Sequence, residues 1–83
     1  MKELEKEFIG MGQVRGFKFK RELFNERAFI YSVTTENETH FEVFLRKENT
    51  QYNCISYPSD KAFGIWAWTY NSWSDAYAKF NTL

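Results

Sequence analysis

Polar and apolar residues alternate along three segments between residues 15 and 47, which is the pattern of strands that turn one face toward a core. These segments are residues 15–21, 28–35 and 40–47. The third is the most regular, with Phe41, Val43 and Leu45 on one side of the strand. Short polar connectors separate the segments at residues 36–38 and around Asn25, which is the candidate for a left-handed turn conformation. The three segments therefore predict an antiparallel meander.

The stretch from Phe63 to Phe80 predicts a strand that leads directly into a helix. Gly64 interrupts any helix, and residues 65–70 are rich in aromatic and β-branched side chains that fit a pleated surface. Ser72 follows as an N-cap residue, with Asp75 three positions later in a variant of the capping box. An apolar stripe of helical period then comprises Trp73, Ala76, Tyr77 and Phe80. We expect this stripe to pack on the sheet.

Two other segments have less regular patterns. Residues 52–57 have the composition of a short fourth strand, and Pro58 opens a turn or exposed loop. Residues 1–12 are rich in charge and end in two glycines, which is consistent with a short helix or a frayed terminus. No repeat or linker divides the chain, so residues 1–83 are interpreted as one small domain.

Together these elements predict an α+β fold, in which an antiparallel sheet of about four strands in meander order carries one C-terminal amphipathic helix on one face. In a first arrangement, an apolar face receives the helix and the opposite face stays open. The apolar face comprises Phe17, Phe19, Phe29, Tyr31, Val33, Phe41, Val43 and Leu45, joined by Ile65, Ala67 and Thr69. The open face comprises Lys18, Lys20, Ile30, Ser32, His40, Glu42, Phe44, Arg46, Trp66, Trp68 and Tyr70. In a second arrangement, Trp66 and Trp68 lie beneath the helix, because large rings are more often buried than exposed.

Aromatic residues make up 20% of the chain. Each ring can bury about 150–250 Å², so this content helps a short chain to form an adequate core, and the excess hints at a binding surface. Eleven basic residues balance eleven acidic ones, so no net field attracts nucleic acid or an anionic membrane. The charged N-terminus does not resemble a signal peptide, and no apolar run is long enough to span a bilayer. A cytoplasmic protein is therefore expected.

Residue types that carry out chemistry are sparse in this chain. Cys54 is the only cysteine and His40 the only histidine, and they lie in different predicted strands without a third residue to orient them. A single cysteine cannot form a disulfide within the chain or a multi-cysteine zinc site, and the scattered acids do not form a calcium loop. Gly10, Gly12 and Gly16 lack the spacing of a dinucleotide-binding loop. The sequence therefore predicts no catalytic residue, no metal site and no cofactor, and a protein that is not an enzyme.

The open face of the first arrangement is the candidate binding face, because it places aromatic rings among cations. Its candidate residues are Lys18, Lys20, Phe44, Arg46, Trp66, Trp68 and Tyr70. We expect a binding or accessory module, of the kind that bacteria and phages use, that recognises a protein partner or forms a homodimer through this face or a free sheet edge. The alternative is single-stranded nucleic-acid binding, with bases stacked on the rings and phosphates held by Lys and Arg. Glu42 on the same face and the zero net charge weigh against this alternative.

Overall fold

The computed structural model describes residues 1–83 and confirms the predicted α+β class. The strands are β1 (Glu7–Ile9), β2 (Lys18–Phe24), β3 (Ala28–Thr34), β4 (Thr39–Leu45), β5 (Glu48–Asn49), β6 (Cys54–Ile55) and β7 (Ala67–Tyr70), and the helix is α1 (Trp73–Phe80). Two short 3₁₀ helices cover Gly12–Val14 and Asp60–Ala62. The main sheet is antiparallel with the order β1-β2-β3-β4-β7, while β5 and β6 form a separate hairpin. The helix is too short to cross a bilayer.

The central strand β3 is buried on both of its faces. Every side chain from Ala28 to Val33 is buried, and Ser32 is the only polar one among them. A strand needs such a continuous apolar run where protein covers both sides of the sheet. The fold therefore has three layers, with the sheet in the middle.

The C-terminal helix covers one side of the sheet, which we call the helix face. α1 packs against β3, β4 and β7. Ser72 caps the helix as predicted, since its Oγ accepts a hydrogen bond from the backbone N–H of Asp75 at 3.2 Å. The buried core of this face consists of Ala28, Ile30, Val43, Ala76 and Phe80. The small side chains of Ala28 and Ala76 let the helix approach the sheet closely.

The opposite side, which we call the loop face, is covered by chain with little regular structure. Leu4 and Phe8 from the N-terminal segment pack on it, together with the connection formed by residues 46–66. Its buried core consists of Phe19, Phe29, Tyr31, Val33, Phe44, Ile55, Ala62 and Ala67. The Tyr57 ring lies at the centre of this cover, with its centroid 4.8 Å from that of Phe44 and 5.2 Å from that of Tyr31.

The pairing register corrects the predicted assignment of side chains to the two faces. Phe29 pairs with Phe44 and Ile30 pairs with Val43, so Phe29 and Val43 lie on opposite faces instead of sharing one. The first predicted arrangement is therefore wrong. The physical reason lies in β3. Apolar residues occupy both sides of this strand, so its sequence pattern does not indicate which of its side chains share a face with Val43. In β2, a register shift between Arg21 and Leu23 interrupts the alternation. Side chains beyond the shift therefore lie on the opposite face from the one that a regular strand would give them.

The second predicted arrangement holds for only one of its two tryptophans. Val43 pairs with Trp68, which places Trp68 on the helix face, whereas Phe44 pairs with Ala67 on the loop face. Trp66 precedes β7 in a turn and packs against the core of the loop face. The strand predicted from residue 65 begins two positions later, and the Ile65 side chain is exposed.

The N-terminal segment is neither helical nor frayed. Lys2 forms a bridge with Cys54, and the backbone carbonyl of Glu5 accepts a hydrogen bond from the Tyr31 hydroxyl at 2.6 Å. Residues 7–9 then add an edge strand to β2 that the short pattern did not predict. Side-chain burial of Leu4 and Phe8 against the loop face holds this segment in an extended form.

The predicted left-handed conformation of Asn25 is also wrong. Among the residues other than glycine, only Asn53 has a positive φ angle. The Asn25 side chain instead closes the β2–β3 turn, since its Oδ1 accepts hydrogen bonds from the backbone N–H groups of Arg27 and Ala28 at 2.7 and 2.9 Å. This is the local side-chain bond that makes asparagine favourable in turns without a left-handed backbone.

Candidate functional site

The seven residues of the predicted binding face do not form one platform. Lys18, Lys20, Trp68 and Tyr70 lie on the helix face, and Phe44 lies on the loop face. Arg46 follows β4 and Trp66 precedes β7, and both pack toward the loop face. The predicted set is therefore divided by the sheet itself.

Phe44 and Arg46 have structural positions on the loop face. Phe44 is fully buried, with its ring stacked near those of Phe29 and Tyr31 at centroid distances of 5.3 and 5.7 Å. The Arg46 guanidinium lies 4.6 Å from the centroid of Phe29 and donates to the Glu3 carboxylate at 2.7 Å. Neither side chain is free to stack on a ligand or to hold a phosphate group.

The two predicted tryptophans are each half-buried and each lies beneath a lysine. The Lys79 ammonium of α1 is 4.1 Å from the ring centroid of Trp68, and the Lys47 ammonium is 5.9 Å from that of Trp66. In a contact of this kind the ammonium group lies over one face of the ring. Trp66 also meets Phe44 edge-on, at a centroid distance of 6.5 Å.

Lys18 and Lys20 are exposed on a part of the helix face that α1 does not cover. The helix lies over β3, β4 and β7, and Leu23 of β2 packs against the same core, which leaves β1, the first residues of β2 and the adjoining end of β3 open. A cleft of about 400 Å³ lies there, lined on this face by Glu7, Ile9, Lys18, Lys20, Ser32 and Thr34. The Ser32 hydroxyl donates to the Glu22 carboxylate at 2.7 Å. We call this region the open half of the helix face.

Two neighbouring exposed aromatic rings lie on α1, at positions that the sequence pattern predicted to pack on the sheet. Trp73 and Tyr77 are 41% and 47% exposed, while Ala76 and Phe80 make the buried contact with the sheet. The two rings stack at a centroid distance of 6.1 Å, and Phe41 of β4 meets Trp73 edge-on at 5.6 Å. We call Phe41, Trp73 and Tyr77 the aromatic shoulder. The 3.6-residue period identified all four helix positions, but the rotation of the helix decides which two of them reach the core.

A cluster of titratable side chains lies on the loop face, and the sequence pattern did not bring it together. Glu42 is central to it, since Oε1 accepts a hydrogen bond from the Tyr57 hydroxyl at 2.6 Å and Oε2 lies 3.1 Å from His40 Nε2. His40 and Glu42 are two positions apart in β4 and therefore share a face, which is the one signal of this cluster in the sequence. Tyr57 comes from the connection that covers the sheet.

Burial raises the pKa of Tyr57 well above the usual tyrosine range, and the neighbouring Glu42 carboxylate raises the pKa further. Burial also raises the pKa of Tyr31 to about 12. Both hydroxyls therefore stay protonated at neutral pH and act as hydrogen-bond donors. Tyr57 donates to a charged acceptor, which is the stronger class of hydrogen bond.

A cleft of about 530 Å³, which we call the loop-face cleft, opens beside this cluster. One wall is the first 3₁₀ helix with the residues before it, the other is residues 57–63, and the floor includes Phe8, Phe19 and Glu42. The charged side chains that line the cleft are Glu42 and Asp60. Cys54 lies apart in β6, and no three His, Cys, Asp or Glu side chains lie close enough together to hold a metal ion.

Comparison of the chain with protein family models, with curated proteins and with solved structures finds no match. Three features of the surface are therefore the candidates for function: the aromatic shoulder, the open half of the helix face and the loop-face cleft.

Proposed function

We propose that this protein is a non-enzymatic recognition module that binds another protein through the aromatic shoulder and the open half of the helix face. The exposure of Trp73 and Tyr77 carries the proposal, because both rings lie on a helix whose other apolar stripe residues are buried. Tryptophan and tyrosine are enriched among the residues that contribute most of the binding energy at protein interfaces. A partner that covers both rings removes apolar surface from water at little cost in side-chain entropy.

The surroundings of the shoulder favour a partner that presents an apolar anchor with charged groups of both signs around it. Phe41 pairs with Ser32, and Ser32 lines the cleft of the open half, so the shoulder and the open half are neighbours on the helix face. Lys18 and Lys20 are exposed in the open half, together with the acids Glu7 and Glu22. An apolar centre with a charged rim is the usual composition of a protein interface.

The test replaces both shoulder rings with Gln, in the variant Trp73→Gln/Tyr77→Gln. The matched control is Tyr52→Gln, because Tyr52 is an aromatic residue of comparable size that is 71% exposed outside this surface. Partners captured with the wild-type chain are identified, purified and measured against each variant by calorimetry. We expect the double variant to lose at least about tenfold in affinity and the control to lose none. Equal binding by all three proteins contradicts the proposal.

The same double variant also tests self-association, in which the partner is a second copy of the chain. Sedimentation equilibrium of the wild-type chain measures whether the partner is a second copy, and in that case the double variant is expected to be a monomer. A wild-type monomer that also captures no specific protein removes the proposed function.

The alternative function is single-stranded nucleic-acid binding, and the observation that favours it is the exposure of Lys18 and Lys20 near the shoulder rings. Stacking on Trp73 and contacts of the two ammonium groups with phosphates would make such binding strongly salt-dependent. Fluorescence anisotropy of a labelled single-stranded oligonucleotide at low salt tests this directly. Binding that disappears in Lys18→Gln/Lys20→Gln and falls steeply with salt would replace the protein-partner proposal.

A further inference from the structure

The loop-face cleft is separate from the aromatic shoulder. It lies on the opposite side of the sheet from α1, and none of its lining residues belongs to the aromatic shoulder. It meets the open half of the helix face at the β1 edge, where Phe8, Ile9 and Phe19 line both clefts. Its volume of about 530 Å³ is within the range of small-molecule sites, which is about 300–1,000 Å³. A site in this cleft can therefore be tested independently of the aromatic shoulder.

Most of the cleft wall is apolar or aromatic. Phe8 and Phe63 line it together with the ring of Tyr57, while Met11 and Val14 stand at the rim on the other side. Met11 is 80% exposed, so an apolar side chain is held in water at the mouth of the cleft. A ligand with an aromatic or aliphatic body would cover this surface.

The charge in the cleft has one sign. Glu42 and Asp60 contribute carboxylates, and no lysine, arginine or histidine lines the cleft. His40 reaches Glu42 from outside the lining and binds only Oε2. Asp60 is exposed and makes no ion pair within the chain.

Glu42 is suited to hold a cation because it is fixed in position and still has accepting capacity. Its side chain is 14% exposed, and Tyr57 and His40 each occupy one oxygen. An ionised carboxylate has about four lone-pair sites, so each oxygen can accept another hydrogen bond. The low exposure also strengthens an ionic hydrogen bond relative to one in water.

We infer that this cleft binds a small amphipathic organic cation, whose ammonium group is held between Glu42 and Asp60 and whose apolar body packs on Phe8 and Phe63. Charge complementarity selects the cation, since two carboxylates face an apolar space without a counter-charge in the lining. Aromatic faces near the site are also favourable for an ammonium group. Phenylpropylamine is a probe of this class.

The test compares three probes with the same phenylpropyl body: phenylpropylamine, phenylpropanol and phenylpropanoate. Each is titrated into the full chain at about pH 8, where the alkylamine is protonated, and amide shifts are followed by NMR. We expect the amine to bind about tenfold or more tightly than the alcohol, and the carboxylate not to bind. The shifted amides are expected at residues 8–14 and 57–63. Equal binding of the three probes, no binding of the amine, or shifts confined to α1 would overturn the inference.

Charge variants test the role of the carboxylates. Glu42→Gln keeps an acceptor for Tyr57 but removes the charge, and the amine affinity is expected to fall about tenfold. Glu48→Gln removes an exposed acid outside the cleft and is the matched control, with no change expected. An unchanged affinity in Glu42→Gln also refutes the site.

A rim variant tests the same idea at a position that does not carry the fold. Met11→Lys adds a cation at an exposed residue, and repulsion of the ligand is expected to weaken amine binding by on the order of threefold. Met11→Gln is its neutral control. The Trp73→Gln/Tyr77→Gln variant is expected to bind the amine like the wild-type chain, so failure of this site and failure of the protein-recognition proposal give different results.

Discussion

The hydroxyl of Tyr57 connects the loop that covers one sheet face to the sheet itself, and its removal should lower stability sharply. Tyr57→Phe keeps the ring contacts, which include centroid distances of 4.8 Å to Phe44 and 5.3 Å to Phe19. It removes a 2.6 Å hydrogen bond to the Glu42 carboxylate. Hydrogen bonds to charged groups contribute about 1.5–3 kcal/mol. The free energy of unfolding should fall by about that amount.

This loss is large for a chain of 83 residues. Domains have roughly 0.05–0.15 kcal/mol of stability per residue, so the whole chain is expected to have about 4–12 kcal/mol. The melting temperature should therefore fall by roughly 10 °C. Urea unfolding followed by circular dichroism measures the change, with a lower midpoint and an unchanged slope.

Tyr52→Phe is the matched control, because the Tyr52 side chain is 71% exposed and its hydroxyl makes no hydrogen bond within the chain. Its stability should stay within about 0.5 kcal/mol of the wild type. A Tyr57→Phe variant that is no less stable than this control would refute the prediction. In that case the hydrogen bond to Glu42 contributes nothing beyond what water supplies in the unfolded chain.

The Tyr57 hydroxyl also makes the free energy of unfolding depend on pH in the alkaline range. Burial raises the pKa of Tyr57 above its usual range and the pKa of Tyr31 to about 12. Above about pH 10 the unfolded chain loses these phenolic protons while the folded chain keeps them. The unfolded state then binds fewer protons, so the free energy of unfolding decreases as the pH rises. Tyr57→Phe should show a shallower decrease, and an identical slope in both proteins would contradict this account.

Two further substitutions test local features of the fold. Gly10→Ala should lower the free energy of unfolding by about 1–3 kcal/mol, because its Cβ would clash with the Val14 carbonyl oxygen; a melting temperature equal to the wild type would contradict this prediction. Ser72→Ala removes the N-cap bond to Asp75 and should cost about 1 kcal/mol, with some loss of helical circular dichroism. Ser72→Asp keeps an accepting oxygen and should restore most of that stability.

The fold class was predictable from the sequence because several elements have an unambiguous local pattern. In β4, apolar and polar side chains alternate, and the N-cap at Ser72 fixes the start of α1. The assignment of faces was not predictable in the same way. Phe29, Ile30 and Tyr31 are all apolar and all buried. The pattern of β3 is therefore compatible with either assignment of its side chains to the helix face and the loop face.

The candidate sites depended on contacts between distant parts of the chain. Phe44 is buried only because residues 46–66 fold back over it, and that connection has little periodicity to indicate a cover. Trp73 lies in the predicted apolar stripe, but the helix buries Ala76 and Phe80 in the core, and Trp73 remains exposed. The Glu42–Tyr57 bond joins residues fifteen positions apart, beyond the reach of any local spacing rule.

The position of β7 beside β4 has a consequence for the order in which the chain folds. The β2–β3 and β3–β4 pairs are hairpins with short turns, whereas β7 reaches β4 only after residues 46–66 have closed a long loop. Closing that loop costs more chain entropy and is slower than forming a hairpin. The cover of the loop face lies within the loop, and α1 follows directly after it. We therefore expect the meander to form first, and the two cores to be completed together in a single late event when β7 docks.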